Sequence, residues 1–207
     1  MKTSVIATSV LATVAIAAPT EPCITSAAPQ NIDDPLLSSV QAVRPPLSTL
    51  ISLVNSLQSS DGLQGALAIQ QSYYPLYTSV LSLSSAANNH AIVSPNNVVT
   101  YLSALNSLVG DISTLMSELD QKANIFQGVG AGSIVVADIT SLAGPAAAIE
   151  SNLFTLIPSN APCDEVTVAQ SVASEFSSAF AGAAKVYTIT KGIPSFPAAP
   201  TNCAAYC

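Results

Sequence analysis

The stretch "VVTYLSALNSLVGDISTLMSELDQK", residues 98–122, decides the fold. Its apolar side chains recur every three or four residues, which is the spacing that places them on one face of an α-helix. The opposite face carries mainly hydroxyls and amides rather than lysine and glutamate. At about 1.5 Å per residue, a helix from Val98 to Leu119 would span roughly 33 Å. A helix of that length must bury its apolar stripe against other helices, a ligand or an apolar surface.

The composition points to a folded domain with an unusually uncharged surface. The chain has 207 residues, of which 49% are hydrophobic and only 8% are charged, and its formal net charge is -7. Folded proteins usually carry about 25% charged residues. The acidic balance argues against binding to nucleic acid and to anionic lipid headgroups. We therefore expect any surface or lipid to be recognised through apolar contacts.

The first seventeen residues, "MKTSVIATSVLATVAIA", have the features of a secretory signal peptide. Lys2 supplies the positive start, a short apolar run follows, and Ala15-Ile16-Ala17 forms an A-x-A cleavage site. The alternative is an N-terminal membrane anchor, but the apolar run is too short to cross a bilayer. We expect residues 1–17 to be removed, the protein to be secreted to the extracellular space or the cell wall, and no later segment to span a membrane.

Four cysteines behind a signal peptide predict two disulfides. They are Cys23, Cys163, Cys203 and Cys207, and three connectivities are open. Because three of the four lie near the ends of the chain, we expect the disulfides to staple an N-terminal tail (residues 18–33) and a Pro-rich C-terminal tail (residues 188–207) to the body. A bond between Cys163 and one of the C-terminal pair is favoured.

Periodicity and capping residues predict an all-α single bundle of about five amphipathic helices across residues 34–187. We place the helices at about residues 34–57, 63–87, 94–126, 133–157 and 164–185. Prolines at 45–46, 75 and 145 predict kinks or breaks in three of them. In the second helix, the side chains expected to face inward are Leu67, Tyr73 or Tyr74, Tyr77, Val80 and Leu81. No strand alternation of useful length occurs.

The sequence offers no support for catalysis, a metal or a cofactor. The only histidine, His90, lies in a polar loop, and no serine sits in a G-x-S-x-G motif. The run "GVGAGS" at 128–133 lacks the preceding strand and the glycine spacing of a phosphate-binding loop. Cys203 and Cys207 with one histidine do not make a zinc site. We therefore predict a protein that is not an enzyme.

Three segments carry a resemblance to a known family. They are "GALAIQQSYYPLYTSVLSLSSAANN" at 65–89, the run from "SALNSLVGDISTLMSELDQK" to "NLFTLIPS" at 103–159, and "SVASEFSSAFAGAAKVY" at 171–187. Their helix order, the K-x-x-x-F step before a Gly-rich connection and the L-x-x-x-I-P-S ending resemble the fungal hydrophobic surface binding protein A family. That family is related to the cell wall galactomannoproteins. The resemblance covers roughly residues 32–187.

The resemblance implies two functions. Family members are secreted and adsorb to hydrophobic solids, where they recruit polymer-degrading esterases, and the galactomannoprotein relatives hold a fatty acid in a channel between helices. Combined with the helix periodicity, this predicts an apolar channel for one acyl chain, lined by Leu102, Leu105, Val109, Ile112, Met116, Phe154, Phe176 and Phe180. Two alternatives stay open: an ordinary packed core without a ligand, and a structural cell wall mannoprotein held by its tails and O-linked sugars.

Overall fold

The computed structural model describes residues 35–89, 95–157 and 161–198, with the side chains of 95–99 and of residue 156 left out. The predicted signal peptide, the N-terminal tail and His90 lie outside these residues. Cys163 is disulfide-bonded, and the other three cysteines also lie outside the described residues. The connectivity therefore stays a prediction.

Six α-helices and one short 3-10 helix make up the regular structure of the described residues, which contain no β-strand. The α-helices are α1 (Pro35–Ser56), α2 (Gly62–Asn89), α3 (Pro95–Gln121), α4 (Ala123–Gly128), α5 (Gly132–Leu156) and α6 (Cys163–Val186), and the 3-10 helix is Ser59–Asp61. The all-α prediction is confirmed. One predicted helix is divided, because the backbone at Lys122 opens to a ψ of 1° and separates α3 from α4.

The helices with internal prolines remain single helices. Pro45 and Pro46 lie inside α1, Pro75 inside α2 and Pro145 inside α5. Each proline removes one helical hydrogen bond. In α1 the apolar stripe continues across the interruption, because Val43 and Leu47 are both buried. Burial against neighbouring helices thus outweighs the local cost, and of the two alternatives for this segment, one kinked helix or two short ones, the structure has a single helix.

Five helices form a closed ring around one core. α1 packs against α2 and α3, α2 packs against α5, α3 packs against α6, and α5 and α6 complete the ring. The α3–α6 interface is the most extensive and the α5–α6 interface is the least extensive of these five. The core includes the fully buried rings of Phe126, Phe176 and Phe180.

The orientation of α2 agrees with the prediction only in part: Tyr73 and Val80 are buried as expected. Its inward side chains are Ala66, Ile69, Tyr73, Leu76, Val80, Leu83 and Ala87. Leu67 and Tyr77 are only partly buried, and Leu81 is 41% exposed. The prediction for Leu81 was wrong because α2 carries apolar residues on two faces. Periodicity alone does not say which face meets the core.

The polar faces of the helices use their hydroxyls on their own backbone. The Ser79 hydroxyl donates to the Pro75 carbonyl at 2.9 Å, and the Thr114 hydroxyl donates to the Gly110 carbonyl at 2.9 Å. The same bond, four residues back along the helix, is made by Ser39, Thr49, Ser82, Ser141 and Thr167. On these faces the hydroxyl groups form hydrogen bonds within their own helix. In most proteins charged side chains would occupy many of these positions.

By length and composition, α5 resembles a membrane-spanning helix. Its segment Gly132–Thr155 has a mean hydropathy of 1.5, long and apolar enough to cross a bilayer. A core helix of a helical bundle passes the same test, and α5 contributes Ile139, Leu142 and Ile149 to this core. The expectation that no segment after the N-terminus spans a membrane therefore rests on packing, not on the composition of α5.

Candidate functional site

The structure places the predicted channel residues in a closed core. On α3, Leu102, Leu105, Val109, Ile112 and Met116 are all buried, and on α6 so are Phe176 and Phe180. Because α3 and α6 share the most extensive helix interface, these two sets belong to one apolar region. Phe154 on α5 is only partly buried and packs against the edge of the same core.

An internal cavity lies beside this region, towards α2 and α5. Its volume is about 30 Å³, and it is lined by Leu50, Ile69, Tyr73, Leu115, Met116, Leu119, Val135, Asp138, Ile139 and Leu142. A water needs about 10–15 Å³ on this measure, whereas pockets for drug-sized ligands measure roughly 300–1,000 Å³. Of the predicted channel residues, only Met116 lines it. This cavity therefore has room for water but not for an acyl chain.

A larger depression opens where α3 meets the start of α6. Its volume is about 200 Å³, and its lining comprises Leu102, Ser103, Asn106, Asp164, Glu165 and Val168. The side-chain oxygen of Asn106 is buried without a hydrogen-bond partner among the described residues. Burial and the neighbouring Asp164 raise the pKa of Glu165. Leu102 is the one predicted channel residue at this depression.

One fully buried carboxyl group lies in the bundle, at Glu150 on α5. Glu150 is 0% exposed, and neither carboxyl oxygen has a hydrogen-bond partner among the described residues. Burial raises the pKa of Glu150 to about 7, because the charged form is poorly solvated there. The group is therefore largely protonated in mildly acidic solution, and it has a proton to donate.

Helix geometry fixes the direction of Glu150. Ser141 marks the α2 side of α5, because its hydroxyl lies 2.7 Å from the hydroxyl of Tyr73 on α2. Glu150 follows nine residues later, which at about 100° per residue is half a turn around the axis. Glu150 thus lies on the side of α5 that faces away from α2, where α6 packs.

A second carboxyl group, that of Asp138, lies at the internal cavity. Burial raises the pKa of Asp138 to about 6. The Tyr73 hydroxyl donates to the Asp138 backbone carbonyl at 3.0 Å. Burial raises the pKa of Tyr73 to about 12, partly offset by the Ser141 hydrogen bond. The α2–α5 interface thus has a hydrogen-bonded polar centre at Tyr73 and Ser141, whereas the Glu150 carboxyl on the other side of α5 has no hydrogen-bond partner among the described residues.

The chain after α6 folds back onto the bundle, although the sequence predicted only an extended tail there. We call residues 188–198 the strap. Its ring at Phe196 stacks on Phe180, with centroids 5.3 Å apart, and on Phe176 at 6.3 Å. Ile189 and Ile193 are also partly buried against the core. The strap therefore completes the burial of two of the predicted channel residues.

Sequence reasoning missed both Glu150 and the strap. The available signal for Glu150 was its place within "AAAIESNLF", residues 146–154, where helical spacing aligns it with the apolar residues Ala143, Ala147 and Phe154. For the strap, the signal was the set of apolar residues Ile189, Ile193 and Phe196 within a segment that otherwise reads as a loop.

Sequence comparison finds no protein-family model that matches the chain and no curated protein that matches it. Comparison of folds does find similar structures. AfMP4p, solved in complex with palmitic acid, has a TM-score of 0.65 at 23% identity, covering 73% of this chain and 97% of AfMP4p. Ligand-binding domain 2 of the Penicillium marneffei MP1 protein, solved with multiple arachidonic acids, has a TM-score of 0.61 at 12% identity, covering 75% of this chain and 97% of that domain. The chain therefore shares the all-helical fold of these ligand-binding domains.

Proposed function

We propose that this protein binds long-chain fatty acids or similar lipids, with the acyl chain held between its helices. The observation that carries the proposal is the shared fold. Nearly the whole of AfMP4p, solved with palmitic acid, superimposes on this chain. The apolar core formed by α3 and α6 supports the same conclusion, because it suits an uncharged acyl chain.

The expected affinity follows from the apolar surface of the ligand. A sixteen-carbon chain has about fifteen methylene and methyl groups, each worth about 0.8 kcal/mol on burial, or roughly 12 kcal/mol in total. Association and ordering cost several kcal/mol. The balance corresponds to a dissociation constant of about 1 μM or below. Because the described core is closed, part of this gain must be spent on opening it.

Titration with a fluorescent fatty acid, followed by displacement with palmitate, tests the proposal. Val109→Phe fills space in the core and should weaken binding about tenfold or more, because extra side-chain volume competes with the ligand. Val186→Phe, the same change at a residue that is 40% exposed on α6, is the matched control and should bind as the wild type does.

Circular dichroism separates lost binding from lost folding in both variants. The proposal is wrong if the wild-type protein fails to bind any fatty acid while remaining helical. If Val109→Phe folds and binds as tightly as the control, the acyl chain lies away from the predicted channel residues.

A second candidate function is adsorption to hydrophobic solids, as the resemblance to the hydrophobic surface binding protein A family implies. One observation favours it: Leu63, Tyr74 and Leu81 on α2 are 48%, 59% and 41% exposed. Tyr74 and Leu81 follow Leu63 by 11 and 18 residues, so at about 100° per residue the three side chains lie within about 20° of one another around the helix. We call these three side chains the outer face of α2.

Adsorption to hydrophobic beads tests this second function. The triple variant Leu63→Ser, Tyr74→Ser, Leu81→Ser should lose most of its adsorption while keeping its fatty-acid affinity, because none of the three contributes to the core. Retention of full adsorption would remove the outer face of α2 from the mechanism. Recruitment of a polymer-degrading esterase would be measured on the same beads.

The proposal also includes secretion to the extracellular space or cell wall and the absence of catalysis. Both come from the signal peptide and from the missing nucleophile and base in the sequence. Purified protein should not hydrolyse a soluble ester, and His90→Ala should change nothing. Ester hydrolysis that falls with that variant would contradict the proposal. A protein with neither ligand nor adsorption would favour the structural wall mannoprotein.

A further inference from the structure

The strap lies where the ring of helices is most weakly closed. The α5–α6 interface is the least extensive in the ring, and the strap contacts both of its helices. Phe196 stacks on Phe176 and Phe180 of α6. Gly192 approaches α5 so closely that a β-carbon at this position would contact the Thr140 side chain. The strap thus bridges the two helices that pack least against each other.

Backbone geometry shows that the strap is directed to this position. Thr188 has a φ of 57° and Gly192 has a φ of 93°, and each positive φ turns the chain sharply. The first turn is anchored by the Tyr187 hydroxyl, which donates to the Leu119 carbonyl of α3 at 2.7 Å. The Ile189 amide also donates to the Ala184 carbonyl at 2.8 Å. Beyond this anchor, the described contacts of the strap are side-chain packing.

We propose that the strap covers the entrance of the acyl site, and that a long-chain fatty acid enters between α5 and α6 by displacing Ile193 and Phe196 and places its carboxyl group at Glu150. This inference rests on the fatty-acid binding proposed above. In this arrangement the strap supplies apolar groups to the core that the acyl chain would replace.

The geometry of α5 is consistent with this placement. Thr140, beside the strap, and Glu150 are ten residues apart, which is about 15 Å along the helix. A long acyl chain can bridge that distance. Glu150 lies on the side of α5 that faces away from α2, and its two carboxyl oxygens have no hydrogen-bond partner among the described residues. A protonated carboxyl group there would donate a hydrogen bond to the carboxylate of the fatty acid, and such a bond is strong in a dry site.

Exchange of the strap for the ligand should cost little in apolar burial. Ile193 and Phe196 leave a surface that the acyl chain then covers, so apolar area is replaced rather than exposed. The strap nevertheless lowers the observed affinity, because only the fraction of molecules with the strap displaced can bind. Weakening the strap should therefore strengthen binding, whereas fixing it should prevent binding.

An engineered disulfide can fix the strap in place. A β-carbon built on Gly192 lies 3.7 Å from the β-carbon of Thr140, and disulfides join β-carbons about 3.5–4.5 Å apart. The double variant Thr140→Cys, Gly192→Cys should therefore form the bond. The variant Thr140→Ala, Gly192→Cys has the same strained backbone at position 192, also lacks the Thr140 methyl group that a β-carbon there would meet, and cannot form the bond, so it is the control.

Binding of a dansyl-labelled fatty acid to the full-length protein, with palmitate as competitor, gives the result. The oxidised double variant should bind about tenfold more weakly or more slowly than the Thr140→Ala, Gly192→Cys control, and reduction should restore binding. Wild-type protein measured in the same reductant shows how much reduction of the native disulfides changes binding. Phe196→Ser should bind faster and more tightly than wild type, whereas Tyr74→Ser, which removes an exposed aromatic ring, should not.

The partner of the ligand carboxyl group is tested with two ligands. Palmitate has a carboxylate and methyl palmitate does not. Glu150→Leu should lose affinity for palmitate relative to methyl palmitate, whereas Glu150→Gln, which keeps a hydrogen-bond donor, should lose less. If the ratio of the affinities for palmitate and methyl palmitate is the same in Glu150→Leu as in the wild type, Glu150 is not the partner of the ligand carboxyl group.

The outcomes separate the inference from the function on which it rests. If the oxidised double variant, the controls and Phe196→Ser all bind equally, the strap does not cover the site, and the proposed fatty-acid binding stands. If none of them binds, including Phe196→Ser, then the proposed function fails and the inference fails with it.

Discussion

The two sides of α6 differ in how they are closed. On one side α6 meets α3 in the most extensive interface of the ring, and on the other it meets α5 in the least extensive. The first side is sealed by helix against helix, with Val109, Ile112 and Phe176 fully buried. The second side is sealed partly by the strap, and on α5 it has the carboxyl group of Glu150, for which the described residues offer no hydrogen-bond partner. The α3–α6 side thus contributes more to the packing of the bundle. The α5–α6 side, which packs less, is the side at which we propose that the ligand enters.

The largest expected effect is the removal of a ring from the shared core. Phe180→Ala should lower the free energy of unfolding by about 3–5 kcal/mol, because Phe180 is completely buried and its removal leaves a cavity. Chemical denaturation measures the change. Phe154→Ala, at a ring only partly buried on α5, should cost clearly less. Equal costs would mean that the α5–α6 side is packed as tightly as the α3–α6 side.

Glu150 should make stability depend on pH. Its pKa is about 7 in the folded protein against 4.5 for an unperturbed group, so between these values the folded state binds more protons than the unfolded state. The unfolding free energy should therefore fall as pH rises from about 4.5 to 7, by roughly 3 kcal/mol in total. Glu150→Gln cannot ionise, so it should flatten this slope and be more stable than wild type above pH 7.

Asp138→Asn is the control for that experiment. Burial also raises the pKa of Asp138, to about 6 from 3.8, so this variant should remove the Asp138 part of the slope, between about pH 3.8 and 6, and leave the fall between about pH 6 and 7 in place. If the unfolding free energy of Glu150→Gln depends on pH as steeply as that of the wild type, then burial does not desolvate Glu150.

Phe196→Ala tests the weaker side directly. Its ring is partly buried and contacts two rings of α6, so its loss should lower the unfolding free energy by about 1–2 kcal/mol. Hydrogen exchange should show faster exchange near the α5–α6 interface and little change in α3. Faster exchange spread evenly over the bundle would mean that the strap is part of the cooperative core.

Among the stability changes predicted for Phe180, Glu150, Phe196 and Tyr187, that of Tyr187→Phe is the smallest. It removes one buried hydrogen bond from the Tyr187 hydroxyl to the Leu119 carbonyl, which is worth about 1 kcal/mol. The ring stays, so packing should be preserved. Thermal unfolding should show the loss, and a loss as large as that of Phe180→Ala would mean that the anchor holds much more than the start of the strap.

The sequence predicted the α3–α6 side well because each helix has one apolar face. Every residue assigned to the stripe of α3 from Leu102 onward is buried, and so are Phe176 and Phe180. In α2 the prediction failed at Leu81, because two apolar faces compete and only the tertiary structure chooses between them. In α1 the prolines predicted a kink or a break. The segment is a single helix, because the residues that flank the prolines are buried against neighbouring helices.

The α5–α6 side was harder to predict for a different reason. A glutamate in a helix is usually exposed, so its burial depends on what packs over it, which periodicity does not report. Docking of the strap depends on two backbone reversals, and one of them is at Thr188, a residue type that rarely adopts a positive φ. Long-range contacts decide both features, so local patterns did not reveal them.

The hydroxyls that donate to their own helices determine how the surface of this protein is hydrated. A serine or threonine hydroxyl has one hydrogen, and when it is given to a backbone carbonyl, as at Ser79 and Thr114, none remains for water. Such a face holds water less firmly than ammonium and carboxylate groups do, because neutral hydroxyls cost far less to dehydrate than ions. Adsorption to a solid would then displace water without stripping ions. It should therefore depend only weakly on ionic strength, unlike the adhesion of a highly charged protein.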